Sequence, residues 1–285
     1  MLNKNVQTFI GCEVAYEDAN IVLFGAPFDG TTSFRPGTRF GPSAIRSESF
    51  GLETYSPYQN KDLMDISVFD SGDLELCFGN PERVLGDIEE CTSKILEDGK
   101  LPFMIGGEHL VTLGTVRAIA KKFPDLHIIQ FDAHTDLRDD YLGEKLSHAS
   151  VIRRCHDILG DGRIFQFGIR SGDRSEFEWS DDGHVFTNKF NFEGLQNIVK
   201  EIGDKPVYVT IDLDVLDPSV FPGTGTPEAG GVTFPELIDA IFTVCGNANV
   251  VGCDVNELSP TYDASGISTA TACKVVREFL LALNK

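Results

Sequence analysis

The chain has 285 residues, with 44 Asp and Glu against 24 Lys and Arg, and a formal net charge of −20 at pH 7. With 41% hydrophobic and 24% charged residues, its composition is that of an ordinary globular protein and excludes a disordered or fibrous chain. The acidic balance argues against a nucleic-acid partner, which would require clustered Lys and Arg, and is compatible with a cationic substrate.

Six near-continuous apolar segments predict strands of a parallel sheet, since strands that are covered on both faces show little polar alternation. In chain order they are Ile21–Phe28, Leu101–Gly107, Leu126–His134, Arg163–Arg170, Val207–Val215 and Val250–Leu258. Apolar residues at three- and four-residue spacing between these strands predict helices. The predicted helices are Glu82–Asp98, Leu110–Lys122, Ser147–Leu159, Phe192–Glu201, Phe234–Val244 and Ser268–Leu283.

The alternation of strands and helices predicts the fold class. Repeated strand–helix units give an α/β protein, here a three-layer αβα sandwich with a central parallel sheet. A closed β/α barrel is the competing architecture. The sequence has no linker, repeat or low-complexity tract, so we expect a single domain over residues 1–285. In both architectures, functional residues concentrate at the carboxyl ends of the strands.

The sequence gives no sign of export or membrane insertion. It has no apolar run behind a basic amino-terminal stretch, and no apolar segment approaches the roughly 20 residues that a membrane helix needs. The seven cysteines are widely spaced and form no C-x-x-C pair, a pattern typical of reduced thiols. We therefore expect a cytoplasmic protein that binds no membrane.

Three predicted strands end in residue types that ligate metal ions. Glu108 and His109 follow LPFMIGG, the motif DAHTD spans residues 132–136, and VYVTIDLDV contains two aspartates. Because side chains two residues apart point to the same face of an extended chain, the ligand-type residues within DAHTD and within the D-x-D pair can converge. The six candidate ligands are His109, Asp132, His134, Asp136, Asp212 and Asp214.

Taken alone, each motif has an ordinary explanation. D-x-H-x-D can form a solvated turn, D-x-D can cap the end of a strand, and GGEH can be a glycine-rich turn. However, Asp212 and Asp214 interrupt a segment that is otherwise typical of a core strand, and buried carboxylates are costly unless paired or bound to a cation. Together the motifs predict a binuclear metal site. Carboxylates and imidazoles without a thiolate favour Mn²⁺ over Zn²⁺ and Mg²⁺.

The same motifs carry a family resemblance. GGEH (106–109), DAHTD (132–136) and TIDLDVLDPSVFPGTGTPEAGG (210–231) resemble, in this order, the motifs of the ureohydrolase family, which includes arginases and agmatinases. The resemblance covers essentially the whole chain and implies an arginase-like α/β sandwich that hydrolyses a guanidinium group to urea and an amine. The chain differs at Glu108, where many members have Asp, and at Thr210, where many have Ser. Neither position is a ligand in the family.

The resemblance implies a role for each candidate residue. His109, Asp132, Asp136 and Asp214 would hold mostly one of two Mn²⁺ ions or bridge both, and His134 and Asp212 would complete the set, with Asp132, Asp136 and Asp212 as bridging candidates. Two such cations lower the pKa of a shared water, so that hydroxide is available near neutral pH. Glu257 would orient the planar guanidinium by paired hydrogen bonds, unless it is a helix cap or surface acid. Asp136 would pass a proton to the leaving amine, and His148 would shuttle protons, although by sequence alone His148 is an ordinary helix-start residue.

The resemblance is closer to agmatinases than to arginases. The segments DGTTSFRPGTRFGPSAIR (29–46) and TYDASGI (261–267) resemble agmatinases. The acidic loop LRDDYLGEKL (137–146) differs from the asparagine-bearing loop with which arginases hold an α-carboxylate. We therefore expect hydrolysis of agmatine to putrescine and urea, a step of polyamine biosynthesis. Asp173 lies either near the substrate ammonium or in a surface loop.

Several alternatives stay open at this stage. A guanidinobutyrase, a guanidine hydrolase, an arginase and a formiminoglutamase share these metal motifs, and a catalytically inactive metal-dependent interaction protein is the alternative from a different class. The expected partner is a small cationic guanidino substrate. The family also implies a homo-oligomer, either a trimer or a hexamer. His127 begins a predicted strand, and His156 and His184 lie in polar contexts without ligand spacing, so we assign no function to these three histidines.

Overall fold

The computed structural model describes residues 7–284, which contain one large sheet and one small hairpin. The strands are β1 Ile21–Ala26, β2 Tyr55–Ser56, β3 Lys61–Asp62, β4 Val68–Asp73, β5 Leu101–Gly106, β6 His127–Phe131, β7 Ile164–Ile169, β8 Phe186–Lys189, β9 Pro206–Asp212 and β10 Asn249–Asn256. Strands β2 and β3 pair antiparallel in the hairpin. The other eight strands are all parallel, in the order β4-β1-β5-β10-β9-β6-β7-β8.

Helices cover both faces of this sheet. They are α1 Gly41–Ser49, α2 Pro81–Glu97, α3 Thr112–Lys122, α4 Val151–Leu159, α5 Arg174–Asp181, α6 Leu195–Ile202, α7 Phe234–Asn247 and α8 Ile267–Leu283. One buried cluster joins the sheet to α2, α3 and α4, and the other joins it to α1, α6, α7 and α8. Successive residues of β1 alternate between the clusters, with Leu23 in one and Phe24 in the other. The αβα sandwich is thereby confirmed, and the open strand order excludes the closed barrel.

All six predicted strands and all six predicted helices are present, and their ends differ by a few residues. The predicted segment Leu126–His134, for example, ends as a strand at Phe131, because the chain turns where the ligand-type residues begin. The sequence did not predict the two edge strands, β4 and β8, or helices α1 and α5. These elements are short and polar: α1 reads GPSAIRSES and β8 reads FTNK, so neither has the apolar periodicity that signals burial.

A buried ion pair fastens α1 to the edge strand β4. The Arg46 Nε lies 2.8 Å from Asp70 Oδ2, and Arg46 Nη2 lies 2.9 Å from Asp70 Oδ1. Nη1 of the same guanidinium contacts Asp73. Both side chains of the Arg46–Asp70 pair are almost fully buried, so the attraction between the two charges must compensate for the hydration that each has lost.

The strand order determines where the site forms. Strands β5, β10, β9 and β6 are neighbours at the centre of the sheet, and because they are parallel their carboxyl ends meet at one edge. The glycines of GGEH allow the end of β5 to lie close to its neighbours. A Cβ atom at Gly107 would lie 1.9 Å from the carbonyl oxygen of Phe28, and one at Gly106 would lie 1.8 Å from Asn256 Oδ1. Within residues 7–284, no helix is long and apolar enough to cross a membrane.

Candidate metal centre and substrate cavity

The six predicted ligands converge at the carboxyl edge of the four central strands. His109 begins the turn after β5, and its Nδ1 lies 3.0 Å from Asp132 Oδ2 and 3.0 Å from Asp136 Oδ2. The same Nδ1 lies 3.5 Å from Asp212 Oδ2. These four side chains are buried and come from the ends of β5, β6 and β9. One imidazole nitrogen therefore faces three carboxylates.

A second imidazole faces a second group of carboxylates. His134 Nδ1 lies 3.0 Å from Asp214 Oδ2 and 3.6 Å from Asp132 Oδ1. Asp132 contributes one oxygen to each group, so it lies between the two imidazoles. Each group, His109–Asp132–Asp136 and Asp132–His134–Asp214, has its ligand atoms close enough together to hold one ion. Asp214 lies beside His134, whereas the family-based expectation grouped it mainly with His109.

The tautomer of His109 shows that this arrangement fits a cation. His109 Nε2 lies 2.8 Å from Thr210 Oγ1, and Thr112 Oγ1 lies 3.4 Å from the same oxygen while it donates its own proton to Asp254 Oδ2 at 2.7 Å. Because the Thr112 hydroxyl can then only accept from Thr210, the Thr210 oxygen accepts from His109 Nε2–H, and Nδ1 keeps the lone pair of the neutral imidazole. This Nδ1 is buried and has no hydrogen-bond donor facing it. A lone pair among carboxylates requires a positive ion between them.

Without an ion, the cluster holds protons. Burial raises the pKa of Asp136 to about 7, with a further contribution from the charge of Asp132. Burial and the neighbouring Asp214 also raise the pKa of Asp212 well above its usual value. Burial alone would lower the pKa of His109, but the carboxylates of Asp132 and Asp136 outweigh this effect and raise it. A divalent ion would replace these protons.

Glu257 follows β10 and lies beside this cluster. Its Oε1 accepts a hydrogen bond from the backbone N–H of His109 at 2.8 Å, which couples the orientation of the carboxylate to the turn after β5. Glu257 and Asp136 both have left-handed backbones, with φ of 67° and 52°. Such non-glycine conformations cost on the order of 1–3 kcal/mol each and concentrate at functional sites.

The cluster opens into a cavity of about 230 Å³, with Glu257 in its wall. This volume is below the roughly 300–1,000 Å³ of typical drug-sized pockets, so it suits a small molecule. His148 also lines the cavity. Its Nδ1 lies 2.9 Å from the Thr31 carbonyl oxygen, and its Nε2 lies 3.2 Å from Ser33 Oγ. Because a carbonyl only accepts, Nδ1 carries the proton and Nε2 is the acceptor. Burial lowers the pKa of His148 to about 4, so the imidazole is neutral at pH 7.

Asp173 lines the same cavity, but its carboxylate already has a partner. Asp173 Oδ2 lies 2.5 Å from Nη1 of Arg138, which also lines the cavity. The buried Glu176 supports this arrangement, since it accepts hydrogen bonds from the backbone N–H groups of Leu137 and Asp173. A substrate ammonium that used Asp173 would therefore compete with Arg138.

The roles of four supporting residues were missed from the sequence. The Glu108 carboxylate accepts hydrogen bonds from Thr31 N at 2.9 Å and from the hydroxyls of Thr31 and Thr32, and thereby anchors the loop that holds His148. Thr210 orients His109, and Thr112 connects Thr210 to Asp254. Asp254 interrupts the apolar segment VVGCDVNEL, so the argument applied to the buried Asp212 could have identified it. Nothing in the local sequence indicates the partners of Glu108 or Arg138.

Comparisons with known proteins agree with this geometry. The profile of the Arginase family matches residues 19–282. An agmatinase from Bacillus subtilis (strain 168) is 49% identical, with 98% of this chain and 97% of that protein covered. The human mitochondrial guanidino acid hydrolase is 37% identical, with 94% and 80% covered. Among solved structures, the agmatine ureohydrolase of Thermoplasma volcanium has a TM-score of 0.89 at 36% identity, with 98% and 95% covered.

The chain therefore belongs to the arginase family and is a ureohydrolase, an enzyme that hydrolyses a guanidino C–N bond. The resemblance carried by GGEH, DAHTD and the TIDLDV segment is confirmed.

Proposed function

We propose that this enzyme hydrolyses agmatine to putrescine and urea with two Mn²⁺ ions. The proposal rests on the buried Nδ1 of His109, which faces the carboxylates of Asp132 and Asp136. These three side chains would hold one of the two ions. The identity to the Bacillus subtilis agmatinase supports the choice of agmatine. Carboxylate and imidazole ligands without thiolates support Mn²⁺.

In this proposal, His109, Asp132, Asp136 and Asp212 would hold one ion, and His134 and Asp214 would hold the other together with Asp132. The pair of ions would supply Lewis acidity that makes a water nucleophilic near neutral pH. Asp132 and Asp212 are buried and oriented by hydrogen bonds from Gln130, His134 N and Asp214 N, which supports a preorganised ligand set.

Glu257 would orient the guanidinium. Its Oε1 is fixed by the His109 N–H, so the carboxylate has a defined direction in the wall of the cavity. Burial and the nearby Glu108 raise the pKa of Glu257 well above its usual value in the free enzyme. A bound guanidinium supplies the missing opposite charge and favours the ionised carboxylate, which can accept two parallel hydrogen bonds.

The amine product leaves only after it gains a proton. Asp136 lies in the ligand cluster and lines the cavity, and we propose that its carboxylate relays a proton to the leaving amine. His148 Nε2 is an acceptor in the cavity wall, and we propose that it exchanges protons between the site and solvent.

A second candidate substrate is a guanidino carboxylic acid. Arg138 places a guanidinium in the cavity, which would bind a substrate carboxylate if it left Asp173. The human guanidino acid hydrolase shows that such chemistry occurs among the relatives. The pairing of Arg138 with Asp173 favours agmatine as the first candidate, because the pair already neutralises the Arg138 charge.

Urea release from agmatine, 4-guanidinobutyrate, arginine and guanidine, with and without Mn²⁺, tests the proposal. We expect Mn²⁺-dependent turnover, with kcat/KM for agmatine exceeding that for the other compounds. A preference for 4-guanidinobutyrate that the variant Arg138→Gln abolishes would select the second candidate. Absence of turnover on all four compounds at saturating Mn²⁺ would contradict the proposal.

We also propose that the enzyme is cytoplasmic and forms a trimer or hexamer. The seven cysteines are widely spaced and form no C-x-x-C pair, in keeping with a reducing compartment. The oligomeric state rests on the family resemblance alone. Sedimentation analysis would test it, and a monomer at micromolar concentration would contradict it.

A further inference from the structure

A third group of potential metal ligands lies outside the central cavity. His156 Nε2 lies 2.7 Å from Asp161 Oδ1, and His184 Nδ1 lies 2.8 Å from the same oxygen. His156 is in the last turn of α4, Asp161 is in the turn that follows, and His184 is in the connection between α5 and β8. The three side chains come from separate segments but converge on one point. None of them lines the cavity described above.

Aromatic packing fixes the orientation of both imidazoles. The indole of Trp179 is stacked on the His184 ring, with centroids 4.5 Å apart and an interplanar angle of 14°. The same indole contacts the His156 ring edge-on, with centroids 4.7 Å apart. The guanidinium of Arg153 lies 3.9 Å from the Trp179 ring centroid. The donor nitrogens are thus held in place by packing as well as by Asp161.

We propose that His156, Asp161 and His184 form a separate binding site for a divalent transition-metal ion of the Zn²⁺ or Ni²⁺ type. The donor atoms all lie within 4.8 Å of one another, as a common ion requires. Two imidazoles and one carboxylate, without a thiolate, are the donors that such ions bind well. Three protein ligands with a fourth position open to water also occur in catalytic zinc sites. This site is independent of the proposed reaction.

The two distances to Asp161 are close to those that a bound ion needs. Tetrahedral donors at about 2.1 Å from zinc are about 3.4 Å apart, so the 2.7 Å and 2.8 Å distances from Asp161 Oδ1 to the two nitrogens would each lengthen by less than about 1 Å. Asp161 can make this shift, because its side chain is 65% exposed. The His156 side chain is only 14% exposed, so the more rigid half of the site lies on α4.

The chain contains one tryptophan, and it is Trp179, so its fluorescence reports on this site directly. We propose to titrate the Mn²⁺-loaded enzyme with Ni²⁺, a quencher of indole fluorescence at contact distance. A saturable decrease in fluorescence is expected. Because Ni²⁺ binds nitrogen and oxygen ligands more tightly than Mn²⁺ and can replace it in the central site, the Ni²⁺ content is compared with that of Asp161→Asn. At a Ni²⁺ concentration that just saturates the fluorescence change, the unmodified enzyme should hold up to one more Ni²⁺ per chain than this variant by equilibrium dialysis and elemental analysis.

The variant Asp161→Asn tests the ligand set while leaving both imidazoles and their packing on Trp179 intact. We expect its Ni²⁺ affinity to fall more than about tenfold, since loss of even an outer-shell partner costs 10–100-fold. Asp182→Asn is the matched control, because Asp182 is an exposed acid near His184 that is not in the cluster. This control should bind Ni²⁺ like the unmodified enzyme, and urea release should be unchanged in both variants.

Three results would overturn the proposal. One is the absence of a saturable fluorescence change at micromolar Ni²⁺. The second is equal Ni²⁺ content and affinity in Asp161→Asn and the unmodified enzyme. The third is an equal loss of affinity in Asp161→Asn and Asp182→Asn, which would show a general charge effect rather than ligation.

Discussion

The hydroxyl of Thr210 holds the tautomer of His109 that the proposed metal binding requires, and the substitution Thr210→Val tests this role. Thr210 lies on β9, buried, with its Oγ1 2.8 Å from His109 Nε2 and 3.4 Å from Thr112 Oγ1. Valine keeps the branched shape but removes the acceptor. The Nε2–H of His109 would then face a methyl group, and the imidazole would gain by moving its proton to Nδ1, where carboxylates accept it.

The size of this effect follows from the contact that is lost. A buried donor that loses its acceptor costs roughly 1–3 kcal/mol. Removal of a hydrogen-bond partner of a metal-ligating histidine typically weakens metal binding by about 10–100-fold, which corresponds to roughly 1.4–2.7 kcal/mol. The two ranges agree, so we predict that Thr210→Val weakens Mn²⁺ binding at the His109 ion by about one to two orders of magnitude.

Mn²⁺ affinity is measured by calorimetry, and the stability gained from Mn²⁺ is measured by thermal unfolding. The control is Thr92→Val, because Thr92 is equally buried and its hydroxyl has no hydrogen-bond partner among the described residues. This control should bind Mn²⁺ as the unmodified enzyme does. An affinity of Thr210→Val within twofold of that of the unmodified enzyme would refute the tautomer argument.

Three further predictions concern the anchored loop, the ion pair and the protons of the apo site. Glu108→Ala should lower kcat about tenfold or more while Mn²⁺ affinity is kept, because the substitution releases the loop that holds His148. Urea assays measure kcat and calorimetry measures Mn²⁺ affinity, with the exposed Glu90→Ala as the control. An unchanged kcat in Glu108→Ala would contradict this prediction. Asp70→Asn should lower the free energy of unfolding by about 3–5 kcal/mol, since it leaves Arg46 buried without its main partner. Exposed Glu82→Gln, which breaks the ion pair with Arg117, should cost about 1 kcal/mol or less in the same denaturant titration, and equal losses would refute the burial argument. Mn²⁺ binding should release protons at pH 7 and strengthen as pH rises. The reason is that the ion-free enzyme holds protons on acids such as Asp136, whose pKa is raised to about 7. Calorimetric binding heats that do not depend on the ionisation enthalpy of the buffer would contradict this prediction.

The central part of the fold was predictable because burial leaves a strong signal in sequence. Strands β5, β6 and β9 are covered on both faces, so their segments are largely apolar and stand out. The edge strands β4 and β8 are only partly covered, and VFDSGD and FTNK lack that signal. The order of the strands was not predictable from these patterns, since it depends on pairing between segments far apart in the chain.

The positions of the proposed ligands were predictable for a related reason. Asp212 is a charged residue at the end of a strand that is otherwise apolar, so its burial requires compensation. The partner of each ligand was not predictable. The position of Asp132 between the two imidazoles and the ion pair of Arg138 with Asp173 are two examples. Both depend on where the loops return to the sheet. The cluster of His156 and His184 was missed for the same reason, because its residues have no common spacing.

Burial alone does not separate the proposed metal ligands from the acids that support them; convergence on imidazole nitrogens does. Glu176 is buried, and the hydroxyl of Thr135 and the N–H groups of Leu137 and Asp173 supply its oxygens with hydrogen bonds. Asp132 also accepts hydrogen bonds, from Gln130 Nε2 and the His134 N–H, but in addition its two oxygens face the Nδ1 atoms of His109 and His134 beside other carboxylates. An acid that only accepts hydrogen bonds from uncharged donors has no use for a cation, whereas buried acids that converge on imidazole nitrogens need a proton or a metal ion between them. This convergence distinguishes the proposed ligands from supporting acids, and only the folded chain produces it.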